Sequence, residues 1–234
     1  MPRRYLWFVV VAVGAIAVFV QLGLWQLDRL RVRRSANEAM VARRTLPEQS
    51  VEALAGDTSG ARFRAVRVAG RYDYEHQFIW TARTRDGAPG VVFLTPMIVD
   101  SGPAVLVNRG WAYSADGMSI DEPLWRESER DTVVGYAEVY TSGLGPAFIG
   151  SGPRRIRRLA LDSLQAKLPY AVAPILVVQQ RGAGIQVEVK HPFRVTLPPL
   201  DEGPHRGYAL QWFAFALITI VGTVAAVQRG RREA

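Results

Sequence analysis

The 234-residue chain contains no cysteine and only three histidines, His76, His191 and His205. The missing cysteine excludes a disulfide scaffold, a thiolate nucleophile, an iron–sulfur cluster and a cysteine-ligated zinc site. The three histidines are isolated in sequence and do not form the paired spacings of a metalloenzyme. Glycine-rich dinucleotide-binding and nucleophile-elbow motifs are missing too. We therefore predict no catalytic residue, no bound metal and a protein that is not an enzyme.

Charged residues are missing from two long stretches, 5–27 and 207–228. An α-helix rises about 1.5 Å per residue, so about 20 apolar residues cross the hydrocarbon core of a bilayer. We predict a transmembrane helix over 5–27, a β-rich domain over 28–206 and a second transmembrane helix over 207–228. A signal peptide is the alternative for the first stretch, but it has a shorter apolar core and ends at small residues. An uncleaved anchor is therefore the preferred interpretation.

The net charge of +8 comes from arginines at the ends of these stretches, because residues 45–206 carry 18 basic and 18 acidic side chains. Arginines at such positions can contact anionic lipid headgroups. A nucleic-acid-binding domain would carry a basic face of its own, so we expect no nucleic-acid partner. Two spans put both termini on one side of the membrane, but arginines flank the first span at both ends and charge counting leaves the side open. The apolar run begins too early for a mitochondrial transit peptide, which favours a bacterial plasma membrane.

The central residues predict one domain built mainly of antiparallel strands. Alternating apolar residues and turn signals mark strands over 63–72, 77–84, 91–99, 104–111, 133–140, 175–180 and 185–190. The last two strands form a predicted hairpin, and one short helix has Asp162 as its predicted N-cap. The predicted fold class is an α+β membrane protein in which a two-helix transmembrane hairpin flanks one mainly antiparallel β domain.

Two further details concern side chains of this domain. Alternation predicts that Phe78, Trp80 and Ala82 share one face of their strand. Five acidic residues lie near Trp125 and are interpreted as a solvated loop face: Asp121, Glu122, Glu127, Glu129 and Asp131.

Polar and aromatic residues collect where the two predicted membrane helices end. Trp25 lies between Gln21 and Asp28 on one helical face, at spacings of four and three residues. His205 lies just before the second span, on the same side of the membrane as Trp25. A neutral imidazole at that depth can ligate haem iron.

The other members of this proposed site are Arg29 and Arg206, which can pair with haem propionates. The alternative is structural: His205 caps its helix or faces the headgroups, while Gln21 and Gln26 hydrogen-bond across the helix pair. The sequence leaves both interpretations open.

Five motifs resemble the surfeit locus protein 1 family, which assembles cytochrome c oxidase. In chain order they are LGLWQLDR at 22–29, RAVRVAGRYD at 64–73, Gly90 with Thr95-Pro96, VLVNRGW at 105–111 and HRGYALQWF at 205–213. The resemblance implies cytoplasmic termini and an extracytoplasmic β domain. It also implies a transient role with haem a, received from haem a synthase and inserted into oxidase subunit I. His205 matches the histidine implicated as a haem ligand in the family, with Arg206 in place of the usual leucine.

The motif residues also include candidates for contact with a partner protein, namely Asn108, Arg109, Trp111 and Gln26. Trp111 has a second interpretation as a core or membrane-facing aromatic residue. The alternative function is a membrane scaffold that binds oxidase subunits without binding haem, and a membrane-anchored enzyme is a third class.

Overall fold

The computed structural model describes residues 3–56, 58–141, 145–149, 154–182 and 191–232. The chain divides into two compact units. One contains the chain up to Met40 and from Pro199 onward, and the other contains Val41–Pro198.

Among the described residues, the first unit contains most of the long apolar helix α1 (Arg3–Arg44), up to Met40, and all of a second one, α4 (His205–Arg232). Helix α1 ends with Arg43 and Arg44 in its last turn, where cations favour the negative end of the helix dipole, and Pro47 follows soon after. Both helices are long and apolar enough to cross a membrane, with mean hydropathies of 2.4 and 2.0 in their most apolar windows. The predicted membrane segment 5–27 lies inside α1, which continues well beyond it.

Helices α1 and α4 run antiparallel, because their contacting positions rise along α1 while they fall along α4. The rings of Phe19 and Phe215 lie 5.8 Å apart between centroids, a side chain on Gly23 would collide with Phe213, and Gln26 contacts His205. The inward face of α1 includes Ala12, Gly23, Gln26 and Leu30, spaced by eleven, three and four residues, which are separations that return to one face of a helix.

Within its described residues, the second unit contains two short α-helices and one eight-stranded sheet. The helices are α2 (Val51–Ala55) and α3 (Leu161–Gln165). The strands are β1 (Gln49–Ser50), β2 (Ala65–Tyr72), β3 (Phe78–Arg85), β4 (Ala88–Ile98), β5 (Ala104–Tyr113), β6 (Arg130–Val139), β7 (Arg155–Ile156) and β8 (Val172–Gly182). Their order in the sheet is β1-β2-β6-β8-β5-β4-β3-β7.

The sheet closes on itself because β2 also pairs with β4, through Arg71 opposite Ile98 and Tyr72 opposite Met97. Strands β2, β6, β8, β5 and β4 thus form a small barrel. Most pairings are antiparallel, but β1–β2, β3–β7 and β5–β8 are parallel. The sequence predicted two apolar helices flanking a mainly antiparallel β domain, and the structure confirms this arrangement along the chain. Because three of the described strand pairs are parallel, the sheet itself is mixed.

The barrel interior holds one face of each of its strands. Val66, Val68 and Tyr72 point inward from β2, as alternation predicts, and Val133 and Ile175 meet them from β6 and β8. This core fixes the registers of the strands that carry the polar residues described below.

Two local predictions are wrong. Ala82 is exposed with a φ of 54°, because the register between β3 and β4 shifts between Trp80 and Arg83, so alternation fails there. The N-cap of α3 is Ala160, and Asp162 lies in its first turn. The predicted second hairpin strand, 185–190, lies outside the described residues.

Candidate functional site

His205 and Gln26 meet across the helix pair. The imidazole Nδ1 lies 2.8 Å from Oε1 of Gln26. Because an amide oxygen only accepts, the His205 Nδ1 carries the proton and donates it. The other ring nitrogen, Nε2, then keeps its lone pair in the neutral imidazole. A histidine oriented in this way by a hydrogen bond at one nitrogen is the usual state of a metal-ligating side chain.

Space beside Nε2 is provided by Gly203. This residue has a φ of 68°, a left-handed conformation that favours glycine. A Cβ built at Gly203 would lie 3.6 Å from Nε2 and 3.4 Å from Cδ2 of His205. The backbone N–H of Gly203 donates to Oδ1 of Asp201 at 3.0 Å, which holds this turn in place.

Two arginine–carboxylate pairs hold the segment before His205 against α1. Arg34 forms a two-bond contact with Glu202, at 2.7 and 2.9 Å, and Arg33 donates to the backbone oxygen of Asp201 at 3.1 Å. The Arg34 hydrogen bond lowers the pKa of Glu202 below its ordinary value. Both pairs are exposed, so each contributes little to the stability of the fold. The two parallel bonds between Arg34 and Glu202 nevertheless fix the relative orientation of these side chains. They therefore position the turn that leads into His205.

The remaining predicted haem-site residues lie on the exposed side of the helices. The Arg29 guanidinium lies 5.5 Å from the centre of the Trp25 ring, a cation–π contact. Trp25 is 47% exposed, and Arg29 and Arg206 are exposed too. The predicted face of Gln21, Trp25 and Asp28 is therefore an outer face, whereas Gln26 is the residue that faces His205.

In the β domain, Arg109 is completely buried. Its guanidinium donates to Glu127 at 2.8 and 3.0 Å, to Gln77 Oε1 at 3.0 Å and to the backbone oxygen of Trp125. Tyr72 and Tyr74 lie beside it, with ring centres 5.4 and 5.0 Å from the guanidinium carbon. All of these contacts are internal, so Arg109 is a core residue rather than the surface contact that the sequence suggested.

Glu127 receives a second arginine, Arg194, which donates to both of its oxygens. Burial alone would raise the pKa of Glu127, but the bond from Arg194 and the charge of Arg109 outweigh it, and the pKa is lowered. Glu127 is therefore an ionised, largely buried carboxylate, and the solvated-loop interpretation is wrong for this member of the acidic cluster.

Comparison with known proteins identifies the family. The sequence profile of the SURF1 family matches residues 13–217. The chain belongs to the SURF1 family. Uncharacterized SURF1-like proteins of Mycobacterium bovis and Mycobacterium tuberculosis are each 28% identical to it over 231 residues, covering 92% of this chain and 81% of each relative. The resemblance predicted from the five motifs is thus confirmed.

The most specific SURF1 motif, at 105–111, forms an irregular stretch of β5. Asn108 accepts a hydrogen bond from the N–H of Gly110 at 3.0 Å, while the register with β4 shifts at this point. This irregularity coincides with the position of Arg109, whose side chain is buried. Trp111 is 8% exposed, donates from Nε1 to the backbone oxygen of Arg83 and pairs with Phe193. Asn108 and Trp111 thus have structural roles, in agreement with the core interpretation of Trp111.

Several residues of this SURF1 chain were missed by sequence reasoning. Gln77, Glu127 and Arg194 surround Arg109 although they are far from it in sequence, and no local pattern indicates them. The sequence did contain an indication of one pairing, because two adjacent cations can match two adjacent anions. These are Arg33 and Arg34 on α1, which pair with Asp201 and Glu202. Gly203 had none, because its role depends on the position of the imidazole.

Proposed function

We propose that this chain is a membrane-integral assembly factor for haem–copper cytochrome c oxidase and holds haem a transiently at His205. The observation that carries this proposal is the hydrogen bond between His205 Nδ1 and Gln26 Oε1, which places the proton on Nδ1 and so leaves Nε2 its lone pair in the neutral imidazole. Membership of the SURF1 family supports the oxidase context. The role is that of a chaperone for a cargo and requires no bond-making step in the protein.

The membrane assignment is supported by the exposure of the two helices. Only 11% and 6% of their most apolar windows are buried, whereas the core helix of a soluble protein is mostly covered. Large apolar side chains such as Leu6, Val11, Leu217 and Ile218 are more than 60% exposed. We propose spans at 5–27 and 207–228, an extracytoplasmic domain at 28–206 and cytoplasmic termini, in a bacterial plasma membrane.

The residues present fit a haem ligand at His205. Haem a, when bound, supplies an iron that accepts the Nε2 lone pair. Gln26 fixes the ring orientation and keeps the proton on Nδ1, and Gly203 leaves the space beside Nε2 unfilled. Arg29 and Arg206 are the candidate partners for the propionates, and Trp25 offers an exposed aromatic surface.

Partners follow from the same role. We propose that oxidase subunit I receives the haem and that haem a synthase supplies it. The exposed helix surfaces provide apolar area for such contacts within a bilayer. The second candidate function, a scaffold that binds oxidase subunits without haem, is favoured by the internal use of Gln26 as a partner of His205, which serves helix pairing equally well.

An absorption spectrum separates these two functions. The full chain would be purified in mild detergent from cells that make haem a. We expect a haem band in the wild type, loss of that band in His205→Ala and a band reduced several-fold in Gln26→Leu. The control His191→Ala changes an exposed histidine of the other unit and should keep the band.

A wild-type chain without a haem band that still co-purifies with oxidase subunits would refute carriage and support the scaffold. Protease protection of 45–182 in inside-out vesicles, compared with right-side-out vesicles, tests the topology. Cleavage from the cytoplasmic side would contradict the proposed orientation.

A further inference from the structure

The β domain has a cleft beside Trp80 that the proposed function does not use. Two cavities, of about 250 and 520 Å³, adjoin there and share Trp80, Arg83, Asn108 and Val195 in their walls. We call this the Trp80 cleft. All of its lining residues belong to the unit Val41–Pro198, whereas His205 belongs to the other unit. Its size is in the range of small-molecule sites.

The charge in the Trp80 cleft comes from Arg83. Its guanidinium lies over the Trp80 ring, 4.1 Å from the ring centre. Among the described residues, no carboxylate lies within ion-pair distance of Arg83. Partial burial lowers the pKa of Arg83 from its ordinary value, although an arginine stays charged at neutral pH. The Arg83 side chain is nevertheless exposed at the surface, and among the described residues it has no carboxylate counterion.

The other arginines of the cleft are already paired. Arg62 contacts Glu138 at 2.7 Å, and Arg194 is bonded to Glu127. Arg85 is near Asp86 at 3.4 Å. Arg194 shares Glu127 with Arg109, but each of these three cleft arginines has a carboxylate within ion-pair distance, whereas Arg83 has none among the described residues.

Apolar and polar walls complete the Trp80 cleft. Trp111 and Phe193 face the smaller cavity, with ring centres 6.0 Å apart. Tyr140 lines the larger cavity, and its buried hydroxyl has no hydrogen-bond partner among the described residues. A buried hydroxyl without a partner is costly, so it is a place where a ligand group or water is expected.

We propose that the Trp80 cleft binds a small amphiphilic carboxylate, with its anion on Arg83 and its apolar body against Trp80 and Trp111. A planar guanidinium binds a carboxylate through two parallel hydrogen bonds, which gives direction as well as charge attraction. The aromatic walls remove the apolar body from water. The hydroxyl of Tyr140 hydrogen-bonds a polar group at the opposite end of the ligand.

Isothermal titration calorimetry of the full chain in a neutral detergent tests this site, with protein-free micelles as the blank. The probe is 1-naphthoate, and the neutral comparison is 1-naphthylmethanol, which has the same ring system without the anion. We expect 1-naphthoate to bind and the alcohol to bind at least tenfold more weakly. Arg83→Gln should weaken 1-naphthoate binding tenfold or more.

The matched control is Arg67→Gln, which removes an exposed arginine outside the cleft and should leave binding unchanged. Arg83→Lys keeps the charge and should bind with intermediate affinity. The proposal is overturned if the wild type does not bind 1-naphthoate, if both probes bind equally or if Arg83→Gln binds like the wild type. Thermal melting of each variant verifies folding, and the comparison of the two probes needs no variant.

Discussion

Arg109 shows how a residue with the chemistry of a surface contact becomes part of a core. A buried guanidinium is tolerated only when its charge is balanced and its N–H groups are bonded. Glu127 balances the charge of Arg109, while Gln77 and the backbone oxygen of Trp125 accept hydrogen bonds from its other N–H groups. Residues from β5, the 3₁₀ turn at Glu122–Trp125 and the segment after β8 are thereby tied to one another.

We expect Arg109→Met to lower the free energy of unfolding of the β domain by about 3–5 kcal/mol. The reason is that Glu127 stays largely buried and keeps only one of its two arginine partners, Arg194. The measurement is urea unfolding of the full chain followed by tryptophan fluorescence. The control Arg67→Met breaks an exposed pair with Glu48 and should cost about 1 kcal/mol or less. Equal losses in the two variants would contradict the assigned role of Arg109.

Gly110 is a second residue whose identity is set by its backbone. Its φ is 122°, and a Cβ placed there would lie 2.3 Å from the backbone oxygen of Phe193. We expect Gly110→Ala to destabilise the domain by about 1–3 kcal/mol through strain and this collision. Gly56→Ala is the matched control, since Gly56 has a φ of −74° and open space around it. Urea unfolding of both variants checks this, and a neutral Gly110→Ala would refute it.

At the scale of elements, the pairing of α1 with α4 decides the geometry of the haem-site candidate. The approach is close at Gly23, where an added Cβ would lie 2.6 Å from the Phe213 ring. Small residues permit such contact between helices when lipid provides no hydrophobic driving force. One helical turn further along α1, Gln26 reaches His205, so the hydrogen bond depends on this separation.

We expect Gly23→Leu to push the two helices apart and to break the bond between Gln26 and His205. The measurement is the histidine ¹⁵N NMR spectrum of the full chain, in which the protonated Nδ1 signal of His205 should broaden or shift toward a mixture of tautomers. Gly14→Leu is the matched control, because nothing lies within 4 Å of a Cβ at Gly14. The same spectrum for both variants would contradict the packing argument.

For the whole molecule, acid sensitivity follows from buried carboxylates in the β domain. The pKa of Glu127 is lowered, as described above. The pKa of Asp73 is lowered as well, because hydrogen bonds from Tyr170 and His76 outweigh the opposing effect of burial. A carboxylate whose folded pKa lies below its unfolded value adds stability above the unfolded pKa. That stability is lost as the pH falls through the folded pKa.

We therefore expect the thermal midpoint of the chain to fall steeply on acidification below about pH 4–5, where unfolded carboxylates begin to bind protons. Glu127→Gln should be less stable than the wild type at neutral pH and should show a shallower acid loss. Circular dichroism melting between neutral and acidic pH measures both. Parallel acid profiles for the two proteins would contradict the role of Glu127.

Patterns in the sequence alone predicted the two apolar helices, the β-rich domain between them, most strand positions and the family. These depend on local composition, alternation and contiguous motifs, which a linear chain displays directly. The pairing order, the parallel strands and the closure of β2 on β4 required the tertiary structure, because each strand is compatible with several neighbours. The register shift near Ala82 also escaped prediction, since alternation assumes a regular strand.

The candidate site divides in the same way. His205 stood out in the sequence because a lone histidine beside an apolar span is conspicuous. The folded chain was needed to show that Gln26 hydrogen-bonds to it, that Gly203 leaves room beside Nε2 and that Arg109 points inward to Glu127. The physical reason is that a hydrogen bond or ion pair requires atoms within about 3 Å, and residues far apart in the chain reach that distance only after folding.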